Sequence, residues 1–403
     1  MSAHRQLQLA ATPLAIAILC TAMPAADTSR WARIRGVNFF TSSASNANSM
    51  WRHFDPAVAD RELGWMEALG FNSVRLWLSE PAWREQPAAF LDALGRCLDL
   101  CAKHRLSALL VLFDSCGIEP RAGAVEMTVA EAYAHFLKLP DLPEAQKNIM
   151  QARYVQFASG RGRLMRVPVA RDTPPDILFW QHWTPNPGLS RLGAEHWPEL
   201  DAYTAAVMAL AARRPAVIAV DAMNEPYTLM DLPPGASYRA ARDRVDQFIA
   251  HIAARLHSRY PAVERTIGSA DFKDLQALAR YQTLLSIHSY QLGDDLARTL
   301  GAAATFAREA GKPILLTECL ANTDNWLRSY GDESLSTDEG QLRHYQRTLP
   351  LILNSRLGWN AWAGITGHMF TPTTDIMYSN GYLRPAALYL QRQLSGAPED
   401  PHP

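Results

Sequence analysis

The chain has 403 residues, of which 48% are hydrophobic and 20% charged, and 39 basic residues against 40 acidic ones leave a formal net charge of −1. That composition excludes a disordered, collagen-like or disulfide-dense chain, and the balanced charge removes the bulk field that would draw nucleic acid or an anionic membrane surface. At roughly 100–200 residues per domain the length suggests two or three domains, although α/β barrels exceed that range as a single one.

Residues 1–26 stand apart: His4 and Arg5 precede an uncharged apolar stretch from Leu9 to Ala22, followed by the small residues Ala25 and Ala26. This is the layout of a cleaved secretory signal, so a secreted or periplasmic protein with no membrane association after signal removal is expected. A membrane anchor would need ~20 apolar residues, and Pro13 interrupts this shorter run.

From Ile34 onward, short apolar runs rich in β-branched residues recur, each followed by a helical pattern. The runs are Ile34–Phe40, Ser73–Ser79, Ala108–Asp114, Val217–Ala222, Thr266–Ala270, Leu284–His288, Pro313–Thr317 and Gly358–Ala363. Near-continuous apolarity implies burial on both faces, as in a parallel sheet covered by helices. In the first connection Asp55 can cap a helix, Pro56 suits its first turn, Leu63, Met66 and Leu69 share a face, and Gly70 suits a left-handed exit. Eight such units predict a closed (β/α)8 TIM barrel over residues 27–395. A doubly wound sheet would need a Gly-rich phosphate turn after its first strand, where Gly36-Val37-Asn38 stands instead.

The spacing breaks once, between the third and fourth strands. Glu199–Arg214 reads as the covering helix, and residues 115–197 before it form an insertion with Pro-rich joints (Pro174, Pro175, Pro185, Pro187) and a Trp180–Trp183 pair. An insertion at the end of a barrel strand emerges on the catalytic face, so a lid-like subdomain walling the site is expected. Trp180, His182 and Trp183 could line outer subsites or merely pack the insertion, and residues 396–403 read as a loose tail. Cys97, Cys101, Cys116 and Cys319 describe neither a disulfide framework nor a zinc site and are expected to be buried thiols.

Catalytic groups of this fold sit at the C-terminal ends of the strands. Those ends supply Arg75, Asp114, Asn224 with Glu225, His288 with Tyr290, Glu318 and Trp362. Glutamates ending strands four and seven face each other across the barrel mouth, and a convergent pair of carboxylates is what glycosidic cleavage requires.

Val220-Asp221-Ala222-Met223-Asn224-Glu225-Pro226 resembles the Asn-Glu-Pro signature of clan A glycoside hydrolases, and Leu315-Leu316-Thr317-Glu318 resembles their seventh-strand nucleophile motif. With Arg75, His288-Ser289-Tyr290 and Trp362 in order, the stretch from Ile34 to about Leu390 is similar to family 5, the cellulase/mannanase family. The resemblance implies a retaining hydrolase of β-linked glucan, mannan or related oligosaccharides. In it Glu318 is the nucleophile, held ionised by Arg75 and Tyr290, and Glu225 is the acid/base with a raised pKa. Asn224 is implied to bind the sugar 2-hydroxyl, His288 to orient Glu225 or touch the sugar, and Trp362 to stack on it. Many members carry a His near the end of strand three, where this chain has Phe113-Asp114-Ser115-Cys116-Gly117, and Asp114 is the substitute candidate for a sugar hydroxyl.

A metal-dependent barrel hydrolase would want a His-x-His pair ending strand one, where Phe39-Phe40 stands. A Schiff-base aldolase would want a lysine at a strand end, but Lys312 precedes its strand. The remaining alternative is a catalytically inactive barrel that binds polysaccharide. Side chains alone supply the chemistry, so no metal or organic cofactor is expected; the expected partner is a β-linked oligo- or polysaccharide, and the expected state a monomer. Because the insertion walls one side, a pocket closed at one end, suited to chain ends or short oligosaccharides, is a further expectation.

Overall fold

The structure, a computed structural model, describes residues 29–44, 46–117, 123–140, 144, 166–169, 184–229, 232, 235–320, 338–364, 375–377 and 381–395. The leader at residues 1–26, Pro174, Pro175, Trp180, His182, Trp183 and the tail at 396–403 lie outside these residues. Most of the insertion lies outside them too, so the expected closed-ended pocket is not among the described features.

Eight parallel strands build the sheet: β1 (Arg35–Asn38), β2 (Ser73–Trp77), β3 (Ser107–Val111), β4 (Val217–Asn224), β5 (Arg265–Gly268), β6 (Leu285–His288), β7 (Ile314–Cys319) and β8 (Gly358–Ala361). Each is followed by a covering helix: α1 (Pro56–Ala68), α2 (Pro87–Lys103), α3 (Trp197–Ala211), α4 (Tyr238–Arg259), α5 (Phe272–Leu278), α6 (Gly293–Glu309), α7 (Asp338–Ser355) and α8 (Pro385–Ser395). The strand order β5-β4-β3-β2-β1-β8-β7-β6 leaves β5 and β6 to close the ring. They meet through a parallel bridge between Ser269 and Ile287, with the His288 N–H donating to the Ser269 carbonyl at 2.8 Å. The fold is a (β/α)8 barrel.

Its apolar strands are buried on both faces. On β2, Val74 and Leu76 join the large core beneath the helices, while Trp77 packs inside the barrel with Leu109, Val111, Ala219 and Leu315. The α1 connection follows its sequence signals: the Asp55 carboxylate caps the N–H groups of Ala57 and Val58, Pro56 opens the helix, and Gly70 leaves at φ +91°. Cys97, Cys101, Cys116 and Cys319 are all buried. Among the described residues no helix is long and apolar enough to cross a membrane.

Boundaries differ from the sequence reading where polar residues interrupt the apolar run but pairing continues. β4 reaches Asn224, past the expected Ala222, because the Asn224 N–H still donates to the Phe113 carbonyl at 2.8 Å. β7 runs to Cys319 for the same reason, which places Glu318 inside the strand. α3 starts at Trp197, not Glu199, because Pro198 is acceptable in a first helical turn.

The described part of the insertion has an antiparallel pair (Val125–Thr128 with Arg166–Val169) and a helix (Val129–Phe136). Its return to the barrel is fixed by Asn186, which exchanges backbone hydrogen bonds with Asp114 at 2.7 and 2.8 Å. The Asn186 side chain donates to the carbonyls of Leu78 (2.9 Å) and Leu112 (2.7 Å) and accepts from the Glu80 N–H (2.7 Å). One buried amide thus serves three backbone groups beyond the ends of β2 and β3. Asn186→Ala is expected to lower unfolding free energy by about 2–4 kcal/mol, since each buried polar group left unpaired costs roughly 1–3 kcal/mol. Urea denaturation measures this, and a loss below ~0.5 kcal/mol, the range of ordinary surface changes, would contradict it.

Candidate active site

The floor of the barrel mouth is organised by Arg75, which is fully buried on β2. Its Nη1 donates to Glu318 Oε1 at 2.6 Å and to Asn38 Oδ1 at 3.3 Å. Its Nη2 is shared between Asp221 Oδ2 at 2.7 Å and Asn224 Oδ1 at 2.6 Å. The guanidinium carbon lies 4.3 Å from the centre of the Trp77 ring, one inward position further along the strand. Burial opposes the Arg75 charge, but the carboxylates of Asp221 and Glu318 outweigh it and hold the group protonated.

Glu318 and Glu225 converge above this floor. Glu318 Oε2 accepts from the Tyr290 hydroxyl. Glu225 follows β4 in a left-handed conformation, φ +37°, fixed by its N–H on the Gly268 carbonyl at 2.8 Å. That backbone state is unfavourable for a residue with a side chain by roughly 1–3 kcal/mol and turns the carboxylate towards the mouth. His288 Nδ1 lies 2.7 Å from Glu225 Oε1 and 3.5 Å from Glu318 Oε2. A carboxylate can only accept, so Nδ1 carries the proton of the shorter bond.

Burial pushes the Glu318 carboxyl above its ordinary value; the neighbouring Glu225 adds to this, and His288, Arg75 and the Tyr290 hydrogen bond only partly offset it. Burial acts on Glu225 in the same sense, but there the hydrogen bond and charge of His288, with help from Thr228 and Arg75, prevail and hold the carboxyl below its ordinary value. This corrects the expectation that Glu225 is the raised member of the pair. The cause is distance: the imidazole sits closer to Glu225 than to Glu318.

Asp114 is brought into the same cluster. Its Oδ1 accepts from the Cys116 N–H at 2.8 Å and from Asn224 Nδ2 at 3.2 Å. Burial, with the charges of Glu225 and Glu318 added, pushes its carboxyl well above the usual range against those two hydrogen bonds. Both polar atoms of Asn224 are therefore engaged, Oδ1 by Arg75 and Nδ2 by Asp114. Cys116 closes this side: burial and the Glu225, Asp114 and Glu318 carboxylates push its thiol well up, and it also hydrogen-bonds Glu225.

An apolar wall faces the carboxylates. Trp362 follows β8 and meets Trp77 edge-on at 5.3 Å, and Phe40 stacks on Trp77, also at 5.3 Å. The Trp362–Ala363 peptide is cis. Arg75, Asp114, Asn224, Glu225, His288, Tyr290, Glu318 and Trp362 thus lie at one mouth of the barrel. The sequence reading missed Asn38, Asp221, Gly268, Cys116, Phe40 and Trp77.

Gly268, the last residue of β5, is where the cluster is tightest. A Cβ there would stand 2.8 Å from Arg75 Nη2, 2.9 Å from Asn224 Oδ1 and 3.1 Å from His288 Nε2. Gly268→Ala is expected to force Arg75 and Asn224 out of place, since neither contact below 3.0 Å can be kept, and to cut kcat/KM by up to about 10²-fold, the cost of a displacement of about 1 Å. Steady-state kinetics on a variant that still melts cooperatively tests this; undiminished turnover would contradict it.

Among the described residues, the group that could hold a metal ion is Glu225, His288 and Glu318, whose ligand atoms lie within 4.8 Å of one another. The Arg75 guanidinium already neutralises Glu318 at 2.6 Å and competes with a cation for that carboxylate. The chemistry most directly offered is proton transfer between two carboxyl groups and an imidazole, with a fixed cation beside one of them.

No protein-family model matches the sequence, and no curated protein matches it. Solved structures do resemble the fold. An exo-β-1,4-mannosidase from Opitutaceae bacterium strain TAV5 superposes with a TM-score of 0.53 at 14% identity, covering 90% of this chain and 58% of that one. A GH5_18 protein from Bifidobacterium longum subsp. infantis gives a TM-score of 0.54 at 14% identity, covering 91% and 79%. A GH5_18 variant from Streptomyces cattleya, in complex with Manβ1-4GlcNAc, gives 0.51 at 15% identity, covering 91% and 82%. The chain thus spans little more than half of the mannosidase and most of the other two. At these identities the likeness establishes the barrel fold.

Proposed function

We propose that the chain is a retaining β-glycoside hydrolase of clan A, similar to family 5, with Glu318 as nucleophile and Glu225 as acid/base. The observation that carries this reading is the pair itself: two carboxylates with oxygens within 4.8 Å, bridged by His288, one of them held by a buried arginine and a tyrosine. Carboxyl groups ~5–5.5 Å apart accompany retention, and ~6.5–9.5 Å leaves room for the water of an inverting reaction. Glu318 attacks the anomeric carbon while Glu225 protonates the departing oxygen. Glu225 then takes a proton from the water that releases the sugar from Glu318. The Trp362 and Trp77 rings offer the apolar surface on which a pyranose stacks, and the near-zero net charge suits a neutral glycan.

The similar folds of an exo-β-1,4-mannosidase and of a protein holding Manβ1-4GlcNAc make β-mannosides the first substrates to try, ahead of β-glucosides. The leader supports export as the setting for glycan breakdown. The test is a screen of aryl β-mannosides, aryl β-glucosides, Manβ1-4GlcNAc, β-mannan and β-glucan, with Glu318→Ala as control and the first-formed anomer read by proton NMR. Release of a β-anomer that the control abolishes is expected. Glycan binding without turnover, unchanged in the control, would establish the inactive binding barrel instead.

A further inference from the structure

We propose that Asp221 is a positioning residue that holds one edge of the Arg75 guanidinium and thereby divides its positive charge between itself and Glu318. The inference rests on the reading of Glu318 as nucleophile and adds a group that the strand-end roster does not contain. Asp221 lies inside the barrel on β4, one inward position before its end, and is fully buried. A buried carboxylate is costly unless it is paired, and both of its oxygens are committed: Oδ2 takes Arg75 Nη2 at 2.7 Å, and Oδ1 takes the Gly268 N–H at 3.0 Å. Among the described residues no hydrogen bond or ion pair joins its carboxylate to Glu225 or Glu318 directly. Its action on Glu318 therefore passes through Arg75, whose opposite nitrogen grips that carboxylate.

The geometry makes the guanidinium a shared cation. Two carboxylates flank one positive charge, so each feels it less than it would alone. Asp221 also fixes the plane of the guanidinium, so that Nη1 points at Glu318 Oε1 while Nη2 remains on Asn224 Oδ1. Without Asp221 the charge acts on Glu318 undivided. That stabilises the carboxylate and weakens it as a nucleophile, because the charge must leave the oxygen as the glycosyl bond forms. The other titratable groups around Glu318 are His288 and Tyr290 on the β6 side, Glu225 at the end of β4, Asp114 and Cys116 beyond β3, and the adjoining Cys319 on β7. Glu225 is the carboxyl whose charge acts directly on Glu318 and whose own proton transfer would shape the profile, so the test removes it.

In a Glu225→Ala background, an activated 2,4-dinitrophenyl β-glycoside of the sugar the enzyme accepts needs no proton to depart. The pH dependence of the dinitrophenolate burst then follows the ionisation of Glu318, with Asp114 unchanged in every variant compared. Adding Asp221→Asn is expected to move the acidic limb of the burst rate to lower pH by about one unit, at the low end of what an adjacent cation imposes on a carboxyl, and to lower the plateau rate. Asp221→Ala, which places no new donor against Arg75, is expected to move it the same way. A purely structural role would lower rates at every pH and leave the limb in place. An unmoved limb, or one at higher pH, in a folded variant overturns the proposal. A burst that survives Glu318→Ala overturns instead the assignment of the nucleophile.

Discussion

Replacing Glu318 by alanine is expected to lower kcat by about 10⁵-fold or more on any substrate the enzyme accepts, the scale on which loss of a covalent nucleophile is felt. The loss should not depend on leaving group, because no first bond can form. Arg75 would then face an uncharged space where its 2.6 Å partner stood, and a small anion can enter there. Sodium azide is therefore expected to restore part of the rate and to give the α-glycosyl azide, since azide attacks from the face Glu318 occupies. Fluoride-, formate- or azide-independent activity at more than ~1% of wild type would be incompatible with the nucleophile role.

Glu225→Ala should behave differently. With a sugar leaving group the departing oxygen needs a proton, and the rate is expected to fall about 10³–10⁴-fold. With a 2,4-dinitrophenyl leaving group the first step should lose no more than about tenfold, because general acid help contributes little to so good a leaving group. Azide here intercepts the glycosyl-enzyme and gives the β-glycosyl azide, the opposite anomer to that from Glu318→Ala. The pH profile carries a second signature. His288 lowers the Glu225 carboxyl from 2.7 Å and that of Glu318 from 3.5 Å, so removing it raises both. The proposed reaction needs Glu318 ionised and Glu225 protonated; with both raised, that combination persists to higher pH. In His288→Ala the bell of kcat/KM against pH should shift to the alkaline side; a shift to the acid side would contradict the account.

The strands were legible in the sequence because each is buried on both faces, which leaves an uninterrupted apolar run such as Leu109–Val111 with Leu112 and Phe113. Glu225 and Glu318 were legible because they stand at strand ends beside recognisable neighbours. Asp221 was not, since it sits within the run Val217–Ala222 and reads as an interruption until the barrel alternation turns it inward with Ala219. A usable signal existed: a charged residue in a strand covered on both sides must be paired or used. Gly268 ends a four-residue strand, and its importance lies in what three other strands place against it. Cys116 depends on the path of the chain after β3, which no local pattern encodes. The ordering of the two carboxyls rests on less than an ångström of difference in the reach of His288, and spacing along a chain carries no such information.

The most direct test of the proposed double displacement is to trap its intermediate. A 2-deoxy-2-fluoro β-glycosyl fluoride of the accepted sugar slows both steps but leaves the first faster, so the glycosyl-enzyme accumulates. A single covalent sugar per chain is expected, with the label on the peptide carrying Glu318 and no label on Glu318→Ala. Label on another residue, or turnover that inverts the anomeric centre with no adduct, would contradict it.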